Sequence, residues 1–222
     1  MRAIFWTGLL LLLVVAGATG ISEARASKAS GADEAQILAN CPLQGDAKDA
    51  QAKELNPLKR RMTTPSESEI DSKVTLSAIV APGDDKGRWD VKKGAVISGY
   101  VTDVKEGGSE SVNCHTKNPL YRDTHIELVV NPGDGEDKYV IVEVTPQWRE
   151  VMQKDGLDWT TTGLRKQLKG RWVRFTGWMF YDAEHANAAT NSEGKAHIWR
   201  ATVWEIHPIT KIEVLPAKPA KL

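Results

Sequence analysis

The sequence carries no excess of charge: 29 Lys and Arg stand against 29 Asp and Glu in 222 residues. Proteins that hold nucleic acid through bulk electrostatics show a clear basic excess, so the balance argues against that class. Long apolar runs are missing as well. The longest, Leu9–Ala18, spans about ten residues, short of the ~20 that a membrane-spanning helix requires. Cysteine occurs twice and Phe three times. There is no internal repeat and no heptad pattern. No Gly-rich phosphate loop precedes a helix, and Gly-x-Ser-x-Gly, His-Glu-x-x-His and Cys-x-x-Cys are all absent. What is present is a globule's composition, 41% hydrophobic and 26% charged, with an unusual eight Trp.

Met1–Ala26 has the parts of a secretory leader. Arg2 supplies the positive start, Leu9–Ala16 the apolar centre, and Ala24-Arg25-Ala26 the small residues before a cleavage point at Ser27. We therefore expect an exported chain, periplasmic or secreted, with no membrane attachment once the leader is removed. Export places Cys41 and Cys114 in an oxidising compartment, where a single disulfide is expected. It would close a loop of 72 intervening residues, worth about 4 kcal/mol in the chain-entropy view. Two free thiols, or a metal site using Cys114-His115, are the alternatives.

Residues 27–88 are polar and Ala-rich, with few large hydrophobes, and cannot build a core of their own. We read them as an arm lying on the domain that follows, with Cys41 as its staple. Lys59-Arg60-Arg61 within it reads as a solvated turn. Val74–Val80 fits either a strand or a helical turn.

From there the texture is short β-rich runs between Gly, Pro, Asn and Asp. Ala95–Val104 is rich in strand formers. Thr124–Val130 alternates, with Thr124, Ile126, Leu128 and Val130 on one side and His125 and Glu127 on the other. Tyr139–Thr145 alternates too. Thr145-Pro146 is a helix start, and the helical stretch breaks at Asp155-Gly156 before resuming over Thr161–Lys169. Arg171–Phe180 and the long run Ile198–Val214 supply two more strands, with a bend or edge expected at Pro208.

Five strands with a helix between the third and fourth is the order of the OB-fold superfamily, and two stretches resemble it in detail. Val96-Ile97-Ser98-Gly99-Tyr100-Val101 is similar to a first strand that bends at Gly to serve both halves of the barrel. Leu168–Gly177 is similar to the passage from helix to fourth strand. The resemblance covers about Trp89–Val214 and is architectural. It implies a mainly β chain: an OB-like barrel over residues 89–215, an N-terminal arm, and a flexible tail over 216–222. A small open antiparallel sheet with one helix is the competing arrangement. OB-folds bind single-stranded nucleic acid, oligosaccharides or proteins, and some carry nuclease sites, so the fold alone leaves the function open.

In that architecture the ligand face lies on strands two and three, which here present His125, Glu127, Tyr139, Ile141 and Glu143. Two carboxylates and an imidazole suit a cation, a basic partner or a sugar better than a phosphate. Asp123, His125 and Glu127 sit at i, i+2 and i+4, on one strand face, and with His115 they form a candidate metal set. Asp103 and Arg122 would complete the residue types of a metal-dependent nuclease. A second cluster, Arg165, Lys166, Lys169, Arg171 and Arg174, lies beside Trp172 and Trp178. Such a mixture can form a single-strand groove, although basic residues also end helices for electrostatic reasons. The loop Asp182–His197 occupies the place where OB-folds often close over ligands, and His207 has no evident partner.

The leading expectation is an exported OB-like binding module for an oligosaccharide, a small molecule or an exported protein. A metal-dependent hydrolase using Asp123, His125 and Glu127 is the alternative, and single-strand binding through the basic cluster is a third. No cofactor is expected beyond a divalent metal in the second case.

Overall fold

In the computed structural model the described residues are 33–195 and 197–222. The proposed leader and the first residues of the arm lie outside them. The alternating segments form five strands: β1 (Gly94–Glu106), β2 (Thr124–Val129), β3 (Val140–Val144), β4 (Trp172–Tyr181) and β5 (Trp204–Leu215). They close into a barrel in the order β1-β2-β3-β5-β4. All neighbours are antiparallel except β3 and β5, which run parallel. This closed five-stranded mixed barrel is compatible with an OB-like architecture, and it replaces the open-sheet alternative.

The first strand serves both halves, pairing with β4 over Gly94–Tyr100 and with β2 over Tyr100–Glu106. Its register shifts between Val101 and Asp103. Gly99 sits just before that transition, and a Cβ there would meet Leu76 Cδ2 at 2.6 Å. At the other bend, a Cβ on Gly177 would meet the Pro208 carbonyl oxygen at 2.3 Å, where the β4–β5 register slips. Pro208 thus lies in an irregular stretch of β5, as a residue without a backbone donor should.

Between β3 and β4 run two helices separated at Asp155-Gly156. They follow α1 (Ala50–Lys59) and α2 (Leu76–Val80) in the arm, which also holds a helical stretch over residues 33–39. The first of the two, α3 (Pro146–Lys154), begins with Thr145 accepting from the Trp148 amide. The second, α4 (Thr161–Leu168), begins with Thr160 accepting from the Gly163 amide. These hydroxyls satisfy amides that would otherwise lack partners at a helix start.

The core inside the barrel is apolar. Ile97, Val101, Ile126, Leu128, Val140, Val142, Phe175, Met179 and Ile206 fill it, with Leu164 and Leu168 from α4. Val74, Leu76 and Ile79, from the arm, join the same cluster, so that region contributes to the core it covers.

The arm is held by specific polar contacts. Cys41 and Cys114 are disulfide-bonded, 73 positions apart in sequence. Arg61 donates to the carbonyls of Val91, Met179 and His207, and its guanidinium lies 4.8 Å from the Trp178 ring centroid. In return the Trp148 and Trp178 indoles donate to the carbonyls of Arg61 and Thr63. Arg60 donates to the carbonyls of Cys41 and Pro42. The run Lys59-Arg60-Arg61 is therefore a clamp, not the solvated turn its composition suggested, because backbone carbonyls beneath it require donors. The tail turns back too, with Lys218 donating to the Asn131 side chain and Lys221 to the Ser72 carbonyl.

Loss of the cross-link should be costly. We expect the double variant Cys41→Ser, Cys114→Ser to lose about 4 kcal/mol of unfolding free energy in urea. Unchanged stability would show that the other contacts alone hold the arm.

Candidate functional site

The arm has a chemical consequence on the outer face of β2, β3 and β5. Alternation sends the core residues inward, so His125, Ile141, Glu143, Glu205 and His207 point outward. In an uncovered barrel these would meet solvent. Here every residue of β3 is buried on both faces, and Glu205 and His207 are buried as well. The covering segments bring further polar and charged groups: Lys59 from the end of α1, Glu110 and the neutral Asn113 from the β1–β2 connection, and Asp182, His185 and Arg200 from the β4–β5 connection.

Arg200 organises one half. With no exposed surface, it donates from Nη1 to Asp182 Oδ2 (2.8 Å), from Nη2 to Glu205 Oε1 (2.8 Å) and from Nε to the Thr202 carbonyl (2.6 Å). Asp182 Oδ2 also pairs with His185 Nδ1 at 2.6 Å. The fully buried Asp85 pins the same loop by accepting from the Thr202 hydroxyl and the Val203 amide.

His207 organises the other half. Its Nδ1 lies 3.4 Å from Glu205 Oε2 and 3.5 Å from Glu143 Oε2, and its Nε2 lies 3.5 Å from Asp123 Oδ2. Glu143 Oε1 is 3.2 Å from His125 Nδ1. Asp123 Oδ1 accepts from Asn113 Nδ2 at 3.1 Å. Across from them Lys59 Nζ meets Glu110 Oε2 at 2.5 Å.

Four buried carboxylates (Asp123, Glu143, Asp182 and Glu205) and the part-exposed Glu110 thus share a layer with Lys59, Arg200 and His207. The protonation equilibria reflect this crowding. Burial works against a charged His207, yet Glu143 and Asp123 outweigh it and push the imidazole up to about 10. Burial raises Glu143 in turn, but His207, His125 and Lys59 hold it down at about 2. Glu110 goes the other way, pushed up to about 7 by burial and by Glu143 and Asp123 despite Lys59. Glu205 is also raised, mainly by burial.

A cavity of about 230 Å³ opens onto this layer. Glu143, Asp182, Arg200 and Glu205 form its buried floor, Trp199 and His125 flank it, and Glu184, His185 and Gly108 stand at its exposed mouth. Several buried polar atoms around it have no hydrogen-bond partner among the described residues: Asp123 Oδ2, His125 Nε2, Asp182 Oδ1 and His207 Nε2. Such atoms are few in native proteins and call for an explanation.

The structure divides the residues singled out in the sequence. Asp123, His125 and Glu143 enter the cluster. Glu127 does not: its carboxylate pairs with Lys105 of the neighbouring strand. His115 is exposed and pairs with Asp46. Asp123, His125, Glu127 and His115 therefore splay apart. Among the described residues, the group whose ligand atoms converge within 4.8 Å is Asp123, Glu143 and His207. Tyr139 contributes its carbonyl, which accepts from the Ala201 amide. Asp103 pairs with Lys169 and Arg122 with Glu106, away from the cluster.

The basic cluster is largely engaged. Arg165 donates to the Val104 carbonyl, Lys169 pairs with Asp103 and Arg174 with Glu213, while Lys166 and Arg171 are exposed. Trp172 packs edge-on against Tyr100 and lies beneath Lys218. Sequence reading missed Lys59, Glu110, Arg200 and Glu205. The readable signal was Glu205-x-His207, whose i, i+2 spacing puts both on one strand face.

Comparison of the sequence with protein-family models finds no match, and comparison with curated proteins finds none either.

Two outcomes follow from the charge network. Arg200→Met leaves Asp182 and Glu205 buried without their cation and should cost about 3–5 kcal/mol in urea unfolding. His185 is raised above 6.5, first by its bond to Asp182, against the opposing effect of burial. A raised imidazole stabilises the fold below its unfolded pKa and loses that effect as pH rises through the folded one. The stability difference between the native protein and His185→Gln should therefore be fullest below about pH 6 and shrink as pH rises through the raised folded pKa. A difference that grows with pH would contradict the pairing.

Proposed function

We propose that this chain is an exported OB-like binding module that takes a small, positively charged ligand into the cavity beneath its arm. One observation carries the reading: the layer that the cavity reaches holds more carboxylates than cations, and all of these but Glu110 are withdrawn from water. A cation entering there would meet focused negative potential and little competition from solvent. The cavity's size fits an ion or a small amine, not a polymer. The disulfide and the leader-like Met1–Ala26 support export, and none of the described helices is long and apolar enough to cross a membrane. The strand order supports membership among OB-folds, and the cavity lies on the strand face that such barrels use.

The alternative is a metal-dependent hydrolase, favoured by the convergence of Asp123, Glu143 and His207. With Glu127 turned toward Lys105, such an enzyme would rest on that trio. Single-strand binding is the weaker reading, since three of its five basic residues already have partners.

Thermal unfolding at matched ionic strength tests the proposal. A divalent cation such as Mn²⁺, or spermidine, at about a hundred times its dissociation constant should raise Tm by about 5–10 °C. Sodium phosphate and sulfate should give no comparable shift. Stabilisation by the anions alone would overturn the proposal.

A further inference from the structure

We infer that Asp123, Glu143 and His207 form a binding site for one first-row divalent transition-metal ion, of the zinc or manganese kind. This assignment rests on the cation-binding reading above and narrows it to one ion and three ligands.

The three residues come from neighbouring strands of the barrel. Asp123 immediately precedes β2, Glu143 lies on β3, and His207 lies on β5. The register sets His207 beside Glu143, since Val142 pairs with Ile206 across β3 and β5, and sets Asp123 two residues along the strand from His125, which pairs with Glu143 across β2 and β3. A continuous sheet therefore fixes their spacing, the kind of rigid support a metal site needs.

Two ligand atoms are already oriented. Asp123 Oδ1 is held by Asn113, which leaves Oδ2 without a hydrogen-bond partner. His207 Nδ1 faces Glu205 Oε2, which leaves Nε2 without one. Both side chains are more than nine-tenths buried, and the two atoms face each other as an ion pair at 3.5 Å. For metal bonds of about 2.1 Å, two ligands of a tetrahedral ion stand about 3.4 Å apart, close to that separation, so an ion could replace the proton between them. Glu143 supplies the third donor: its Oε2 lies 3.5 Å from His207 Nδ1, and the three residues each offer a ligand atom within 4.8 Å of the others.

The surroundings match what orients metal ligands elsewhere. A ligating imidazole commonly gives its other N–H to a carboxylate. Here that carboxylate is Glu205, itself fixed by the buried Arg200. An imidazole with two carboxylates selects a transition metal over Ca²⁺ or Mg²⁺, which prefer oxygen-only sets. Glu143 belongs both to the trio and to the cavity wall, with Asp123 and His207 behind it, so an ion would reach the site past Glu143.

The test is titration of the full mature chain, stripped with chelator, with Zn²⁺, Mn²⁺, Co²⁺ and Mg²⁺ by calorimetry. The expected result is one equivalent of Zn²⁺, Mn²⁺ or Co²⁺, with Mg²⁺ at least about 100-fold weaker. His207→Gln and Asp123→Asn should abolish binding, and Asn113→Ala should weaken it about 10- to 100-fold by releasing the Asp123 carboxylate. Should the buried variants fail to fold, the visible spectrum of the Co²⁺-loaded native chain decides. Bands shifted and intensified from those of aqueous Co²⁺, as nitrogen and carboxylate ligands produce, support the assignment, and a spectrum identical to that of the aqueous ion overturns it. Stoichiometric binding that survives in folded His207→Gln places the ion elsewhere in the cavity and also overturns it. If spermidine stabilises the protein while no metal binds, the metal assignment fails and the cation-binding reading stands. If neither binds, both fall.

Discussion

A guanidinium with no surface exposed to water is the constraint on which the rest of this molecule turns. Arg200 cannot shed its charge, so burial obliges it to find anions, and it finds Asp182 and Glu205. Those anions in turn stand beside His185 and His207, and His207 draws in Glu143 and Asp123. The chain of obligations ends only where Lys59 and Glu110 close the far side. Each link would be unnecessary if the outer face of β3 and β5 met solvent. The arm makes the network obligatory by covering it.

Stability alone does not account for such a layer. The barrel interior already holds an apolar core from all five strands, and buried ion pairs seldom improve on well-packed hydrophobic residues of similar volume. The arm, by contrast, is secured by ordinary means: the disulfide, the carbonyls of Val91, Met179 and His207 that accept from Arg61, and the indoles of Trp148 and Trp178. Attachment and charge are thus separate features of the same segment. A protein that needed only to hold its arm down would have no use for carboxylates with unpartnered oxygens beneath it, whereas one that binds a cation there would.

The barrel was legible in the sequence because its determinants are local. Alternation in Thr124–Val129 and Val140–Val144, the Thr145-Pro146 start, the break at Asp155-Gly156 and the bend near Pro208 are each written in a few adjacent residues. The disulfide was legible from arithmetic, since two cysteines allow one internal bond. The cluster was not, because it draws on residues from Lys59 to His207 that no sequence window holds together. Alternation also misled on exposure. A polar residue between apolar ones reads as solvent-facing, yet Glu127 is buried, with only its Lys105 partner exposed. The reading fails for Glu143 too, whose strand is covered on both sides. Trp199 escaped for a related reason: its place beside His125 and His185 depends on a loop conformation, not a strand period.

The neutral overall charge now has a physical meaning. It conceals an acid-rich layer buried under the arm and a basic helix end whose charges lie near solvent. These two regions do not compensate each other at close range, because surface charges are screened within about 10 Å while buried ones are not. The buried excess must therefore be met locally, by a proton or by another cation. Glu110, held near neutrality by the crowd around it, shows the first solution at work. A bound cation is the second, and it would act on the arm as well as on the site. Lys59 reaches the cluster only when the arm is docked, so an ion that favours the assembled cluster also favours the docked arm. Binding and closure would then be linked by the same few kcal/mol, each strengthening the other.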